Sequence, residues 1–286
     1  MRTVTSRAEL SEALAHAPRP VAFVPTMGAL HAGHAALISA ARASAATVVV
    51  SIFVNPTQFA NAAAVAQYPR SLEADTRLAE TAGAHLLFVP NADEIYPADD
   101  PVPAIDPGPL AARLEGASRP GHFAGVATVV SRLFDLVRPE QAFFGEKDAQ
   151  QVRVIEWMTQ RRSDRIAIHR VATVRDADGL ALSSRNQMLS ASGRSAAAKA
   201  IPVALSLIAE AFSSGITSVA MLRTLAERVM SAEPRVALDY LDFADGATLV
   251  PLSDEAQMSD AESGEVLVSV AAVVDGVRLI DAISLP

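Results

Sequence analysis

The chain has no cysteine among its 286 residues, which excludes disulfides, thiolate zinc sites and a thioester intermediate on the protein itself. It has no uninterrupted apolar run of the roughly 18 residues that a membrane span needs. Met1 to Pro20 carries Arg2, Arg7, Glu9, Glu12 and His16 without a continuous apolar centre, so it does not read as a signal peptide, and a soluble cytoplasmic protein without a membrane partner is expected. Positive charge is in deficit: 24 Lys and Arg stand against 32 Asp and Glu, a formal net charge of −8 with a pI near 5.3. That balance argues against nucleic acid as a general partner, because affinity for a phosphate backbone needs a basic surface. A G-x-x-x-x-G-K-[ST] loop and a G-x-G-x-x-G turn are also missing, which sets aside P-loop kinases and dinucleotide dehydrogenases. No internal repeat or long linker interrupts the chain.

What is present is an α/β pattern arranged around Val21 to His34, VAFVPTMGALHAGH. A short apolar run reads as a buried strand, a Pro-Thr-Met-Gly turn follows, and the histidines stand where the next segment becomes helical. Gly28 and Gly33 permit backbone angles and close ligand approach that a β-carbon would block. The helix N-terminus offers unpaired N–H groups to an anion, and His31 and His34, three apart, can face the same phosphates. The stretch reads as a polyphosphate site built without a Walker loop.

Downstream, Ala35 to Ser44 reads as an amphipathic helix and Thr47 to Val54 as a buried parallel strand. Its end, FVNPTQF (Phe53 to Phe59), leaves Asn55 and Gln58 at the carboxyl edge, where open parallel sheets bind ligands. A helix over Ser71 to Ala82 carries Asp75 and is stopped by Gly83. A strand follows over Ala84 to Pro90. Asp93, Glu94, Asp99 and Asp100 show no metal-ligand spacing and are assigned as solvated charge. Arg113 to Val126 is a glycine-rich loop with Arg119 and His122. Its composition suits a surface connection and a substrate-covering loop equally.

Gln141 to Gly145 is the next strand, running into GEKDAQQ: Gly145 admits a ligand to the backbone, Lys147 supplies a cation, and Asp148 can cap a helix or bind a ribose hydroxyl. Ile166 to Val171 closes this sheet. TVRDADGLALSSRN then places Val174, a turn at Asp178-Gly179, and Leu182, Ser183, Ser184 and Arg185, whose hydroxyls and guanidinium form a compact anion clamp. Helices over Ser190 to Phe212 and Ser218 to Met230 precede strands over Val236 to Phe243, Val266 to Val274 and Val277 to Ile283, with a hairpin signal at Asp275-Gly276. The expected fold class is α/β: a Rossmann-like parallel sheet with helices on both faces over residues 1–174, and a smaller α+β C-terminal lid domain over 175–286. The hinge is expected near residues 173–176.

Taken together, PTMGALHAGH, FVNPTQF, GEKDAQQ and LSSRN resemble the HxGH nucleotidyltransferase superfamily and, in this order, its pantothenate synthetase family. The resemblance implies ATP-dependent condensation of pantoate with β-alanine to pantothenate, AMP and pyrophosphate through a pantoyl adenylate, with Mg²⁺ on the polyphosphate. It implies catalytic roles for His34, as proton donor, and for His31, Lys147 and Arg185. ATP contacts would come from Met27, Gly28, Ala29, Leu30, His31, Ala32, Gly33 and His34, from Gly145, Glu146, Lys147 and Asp148, and from Val174, Leu182, Ser183, Ser184 and Arg185. Asn55, Gln58 and Gln151 would hold pantoate, Gln58 would also meet β-alanine, and the Arg113 to Val126 loop would help close the site. Mg²⁺ ligands are left unassigned, and a homodimer is implied. Ala149 stands where many members carry tyrosine, a departure that would loosen packing beside the polar ligands, and Leu182 replaces a frequent methionine. Two other readings are a different HxGH nucleotidyltransferase and a non-catalytic nucleotide-binding protein.

Overall fold

Val21 to Val24 and Val48 to Val50 are wholly buried, which is why these strands are continuous apolar runs rather than alternating ones. In the computed structural model, which describes residues 1–286, they are the centre of a six-stranded parallel sheet. Its strands are β1 (Arg2–Val4), β2 (Val21–Thr26), β3 (Thr47–Ile52), β4 (Leu86–Phe88), β5 (Gln141–Gly145) and β6 (Ala167–Val171), in the order β1-β4-β3-β2-β5-β6. Alternate side chains of one strand point to opposite faces. Ala22, Val24, Val48 and Val50 meet Leu37, Ile38 and Ala41 of the Ala32–Ser44 helix and Ala79 of the Leu72–Thr81 helix. Val21, Phe23 and Val49 meet Val130, Leu133 and Phe134 of the His122–Val137 helix, with Leu10 and Ile155. The helices on both faces and the parallel sheet agree with the expected fold class.

The strand order places the site. From β2 the chain winds outward through β3 to β4, then returns to lay β5 on the other side of β2. The crevice at the carboxyl ends of β2 and β5 is therefore the switch point, where doubly wound sheets take their ligands.

The structure adds elements that the hydrophobic pattern does not mark. β1 is three residues long with only Val4 buried, and its register against β4 is what makes it a strand. The Arg7–Ala15 helix follows, closed by a capping box between Ser6 and Glu9. The strand expected over Ala84 to Pro90 shortens to Leu86–Phe88. Of the acidic loop residues, Glu94 accepts from the Arg7 N–H at 2.6 Å and Asp100 pairs with Arg132 at 2.6 Å.

The chain forms two compact units, Met1–Glu146 with Gln151–Ala172, and Lys147–Gln150 with Thr173–Pro286. The second unit holds an antiparallel sheet of β7 (Val236–Asp245), β8 (Val266–Val274) and β9 (Val277–Leu285). Asp275 and Gly276 both have positive φ, 50° and 81°, so the β8–β9 hairpin turns with the twist of its strands. Ile201, Leu205 and Ile208 of the Ala191–Ser213 helix and Leu222 and Met230 of the Val219–Ser231 helix pack with Phe243, Val268 and Val270. The first of these helices is long and apolar enough to cross a membrane, but half of its apolar window is buried, as befits a core helix.

One carboxylate organises the far end of this sheet. Asp245 is buried and accepts from the N–H groups of Ala247, Thr248 and Ser263 and from the Thr248 hydroxyl, at 2.7–3.1 Å. Burial alone pushes the group up, but the hydrogen bonds from Thr248 and Ser263 prevail and hold it well below the usual carboxylate range. A folded value depressed in this way contributes stability above the unfolded pKa of about 3.9, and that stability is lost as pH falls toward the folded value. Asp245→Asn, which turns an amide toward one of these N–H donors, is expected to cost about 1–3 kcal/mol at pH 7. Urea unfolding at stepped pH checks this: the gap between variant and wild type should narrow below about pH 4. A constant gap would show that the charge is not responsible.

Candidate active site

The turn after β2 is built by its glycine. Gly28 has φ +85°, and an added β-carbon would meet Ile52 Cγ2 at 3.0 Å and Asp75 Oδ2 at 3.1 Å. Thr26 Oγ1 accepts from the Gly28 N–H at 3.2 Å and donates to the Ser51 carbonyl at 2.6 Å, tying the turn to β3. His31 is then the N-cap of the Ala32–Ser44 helix. Its Nδ1 accepts from the Gly33 N–H at 3.1 Å, while His34 Nδ1 accepts from the His31 N–H at 3.2 Å. This is a reciprocal capping box in which imidazoles replace the usual hydroxyl and carboxylate. An added β-carbon on Gly33 would come within 2.9 Å of the His31 ring, so that glycine seats the imidazole.

The box dictates chemistry as well as shape. With each Nδ1 turned toward a backbone N–H, the neutral rings carry their protons on Nε2. The ring centroids lie 4.2 Å apart, so the structure brings His31 and His34 together as a pair of N–H donors at a helix N-terminus. Capping and ligand binding, which compete as readings of a bare H-x-x-H, are compatible here because they use different ring nitrogens.

The second cluster follows β3. Asn55 caps the Pro56–Gln58 turn; it and Gln58 are both buried. Asn55 Oδ1 accepts from the Thr57 N–H and hydroxyl and from Tyr96 Oη at 2.9 Å, and Nδ2 donates to Gln58 Oε1 at 3.2 Å and to the Gly125 carbonyl at 3.1 Å. Burial pushes the Tyr96 phenol up despite its hydrogen bond with Thr57, so it stays a neutral donor. Asn55 therefore spends both amide protons and its oxygen inside the protein, and its geometry orients Gln58. Gln58 Nε2 in turn reaches Met27 Sδ at 3.0 Å, joining this cluster to the β2 turn.

Arg119 and His122 converge on the same residue. His122 Nδ1 lies 3.0 Å from the Gln58 carbonyl, Arg119 Nη2 donates to that carbonyl at 3.4 Å, and Arg119 Nη1 stands 3.1 Å from His122 Nε2. A carbonyl can only accept, so Nδ1 carries the His122 proton and Nε2 accepts from the guanidinium. Gly125 lets the His122–Val137 helix close on the turn: a β-carbon there would lie 2.5 Å from the Thr57 carbonyl oxygen.

Gly145 ends β5, which pairs with β2 through Gln141 and Ala142, and Glu146 follows it. Gln151 belongs to the same unit, whereas Lys147 and Asp148 are grouped with the second. Lys147 Nζ lies 3.9 Å from Asp148 Oδ1, with its side chain 15% exposed. Ala149 is buried.

Within the second unit, Val174 and Leu182 face each other on a tight hairpin: the Leu182 N–H donates to the Val174 carbonyl at 3.0 Å, and Arg175 bridges Ala181. Asp176 Oδ1 accepts from the Asp178 and Leu180 N–H groups. Three ion pairs hold this hairpin, Arg175 with Asp281 at 2.6 and 3.0 Å, and Arg194 with both Asp176 and Asp178. Ser183 Oγ then accepts from the Arg185 N–H at 3.3 Å, capping a turn in which Ser184 is buried. Asp75, Tyr96, Arg175 and Asp281 are supporting residues that motif spacing does not reveal.

No group of three or more His, Asp and Glu side chains is placed to hold a metal ion. Mg²⁺ is commonly held by one or two carboxylates together with substrate phosphates.

The sequence matches the family model described as Pantoate-beta-alanine ligase over residues 1–284. A pantothenate synthetase of Corynebacterium glutamicum (strain R) is 45% identical over 288 aligned residues, covering 100% of each chain. The crystal structure of pantothenate synthetase from Thermus thermophilus superposes with a TM-score of 0.89 at 43% identity over 99% of both chains. That of pantoate-beta-alanine ligase from Francisella tularensis, complexed with beta-gamma ATP and beta-alanine, gives 0.79 at 32% identity over 99% of this chain and 97% of that one. From its β2 histidine box to its β8–β9 hairpin, the chain belongs to the pantoate–β-alanine ligase family.

Proposed function

We propose that this protein condenses pantoate with β-alanine at the expense of ATP, releasing AMP and pyrophosphate through a pantoyl adenylate. The observation that carries the reading is the full-length family match, joined to an imidazole pair at the carboxyl end of β2. It is an AMP-forming ligase making an amide bond.

The chemistry explains the choice of residues. A carboxylate is already anionic at neutral pH and needs no strong base; the barrier lies in bringing it against the α-phosphate while pyrophosphate leaves. Donors and cations aimed at that growing charge lower the barrier. The Nε2–H groups of His31 and His34, with Lys147 and Arg185, are the groups we assign to this task, His34 as proton donor. Backbone from Met27 to Gly33, Gly145 to Asp148, and Val174 with Leu182 to Ser184 would cradle the nucleotide. Mg²⁺ bound to the phosphate oxygens would neutralise part of their charge. Gln58 and Gln151 would hold pantoate, since a neutral amide both donates and accepts. Gln58 would also receive β-alanine, with Asn55 fixing Gln58 rather than touching substrate.

The adenylate is a reactive mixed anhydride. Residues 1–174 would bind ATP and pantoate, and 175–286 would act as the lid that keeps water from it until the amine attacks. A cytoplasmic homodimer completes the reading. Incubation with ATP, Mg²⁺ and pantoate should release AMP catalytically only when β-alanine is added, with pyrophosphate exchange requiring pantoate alone. A stable nucleotide product, or binding without AMP release, would overturn it.

A further inference from the structure

The Leu72–Thr81 helix sends one carboxylate into the protein. Asp75 is 2% exposed, and both its oxygens are bound: Oδ2 accepts from the Ala29 N–H at 2.9 Å, and Oδ1 from the Leu30 N–H at 2.8 Å and from Ser71 Oγ at 3.0 Å. Ala29 and Leu30 are the two residues between the glycine turn and the His31 cap. Ala29 has φ +50°, a left-handed conformation that non-glycine residues adopt only when their surroundings compel it. Here the compulsion is visible, because two successive N–H groups converge on one buried carboxylate. Without it the Leu30 N–H would be a buried donor lacking this acceptor.

We propose that Asp75 is a positioning residue for adenylate formation. By holding Ala29 and Leu30 it delivers the His31 N–H to His34 Nδ1, and so fixes the tautomer and direction of both imidazoles. This rests on the functional reading above, but its physical content, a carboxylate that sets the histidine box, does not.

The experiment uses Asp75→Asn in the full chain. Asparagine keeps the shape but offers one acceptor oxygen and turns an amide toward an N–H that needs an acceptor. Pantoate-dependent pyrophosphate exchange should fall about 10²-fold, the scale of an ångström-level misplacement of catalytic groups. Conversion of supplied synthetic pantoyl adenylate with β-alanine should fall less than about tenfold, since there only the AMP phosphate gains charge and no pyrophosphate has to be expelled. A merely structural role would lower both together through the folded fraction, and that result, or unchanged exchange, overturns the proposal. Histidine nitrogen NMR supplies a readout independent of activity. Wild type should show His31 and His34 as Nε2–H tautomers, and the variant a redistributed pattern; identical patterns would also overturn it. Should Asp75→Asn not fold, Asp75→Glu keeps the charge but shifts it by a methylene, and the same split between half-reactions is expected. If wild type shows no exchange at all, the functional reading fails while the NMR comparison still decides the role of Asp75.

Discussion

His34→Ala and Lys147→Ala should each leave a folded protein whose pantoate-dependent pyrophosphate exchange is reduced by about 10² or more, the effect of removing one donor to a transition-state oxyanion. The two substitutions test different parts of the charge arrangement. His34 contributes Nδ1 to the capping box, and its Nε2–H is the donor assigned to the phosphates in the proposed function. Losing the cap costs about 1 kcal/mol of stability, too little to unfold a domain whose core is formed by other residues. Lys147 has a carboxylate 3.9 Å away, Asp148, and lies outside the apolar clusters. Its removal takes away a cation and no part of those clusters. Circular dichroism and urea midpoints close to wild type, with exchange down by two orders of magnitude, is the expected combination. Near-normal exchange in both variants would remove these residues from the mechanism.

The sequence reveals this machinery unevenly. Strands buried on both faces, such as β2 and β3, announce themselves as apolar runs, and the hairpin at Asp275-Gly276 is legible because φ is positive at both residues. β1 is invisible because three residues with one buried side chain carry no period; only the partner strand makes it. The motif residues of the site are legible as motifs, yet not how they divide the work. Asn55 and Gln58 look alike in FVNPTQF, but one is saturated by the protein and orients the other.

Asp75 shows why support is harder to see than chemistry. It and Glu73 both stand in the first turn of the same helix, where any carboxylate is favoured by the helix dipole. Glu73 is exposed and pairs with Arg77, while Asp75 is buried. The available signal was position: Asp75 lies on the stripe with Leu78, Ala79 and Ala82, and a carboxylate on an apolar stripe needs buried donors.

The ion pair that holds the Val174–Leu182 hairpin obeys the same rule. Asp281 is 2% exposed and accepts from both Arg175 nitrogens and from the Ala282 N–H at 2.8 Å. Asp281→Ala leaves Arg175 beside an apolar sheet. Breaking a buried pair costs about 3–5 kcal/mol, and because the Arg175 side chain is 29% exposed and water can recover part of its hydration, we expect about 2–3 kcal/mol. Arg175→Met with Asp281→Leu removes both charges and should recover most of that loss, since apolar replacements of a buried pair are often neutral. Affinity for ATP should not recover: the hairpin presenting Val174 and Leu182 depends on that guanidinium, which also donates to the Gly179 carbonyl at 3.1 Å. Urea unfolding separates the first effect and the KM for ATP the second. If the single variant unfolds within about 0.5 kcal/mol of wild type, the range of a neutral surface change, the pair is not an anchor. If the double variant restores both stability and KM, the hairpin is held by packing, and Arg194 with Asp176 and Asp178 becomes the contact that orients it.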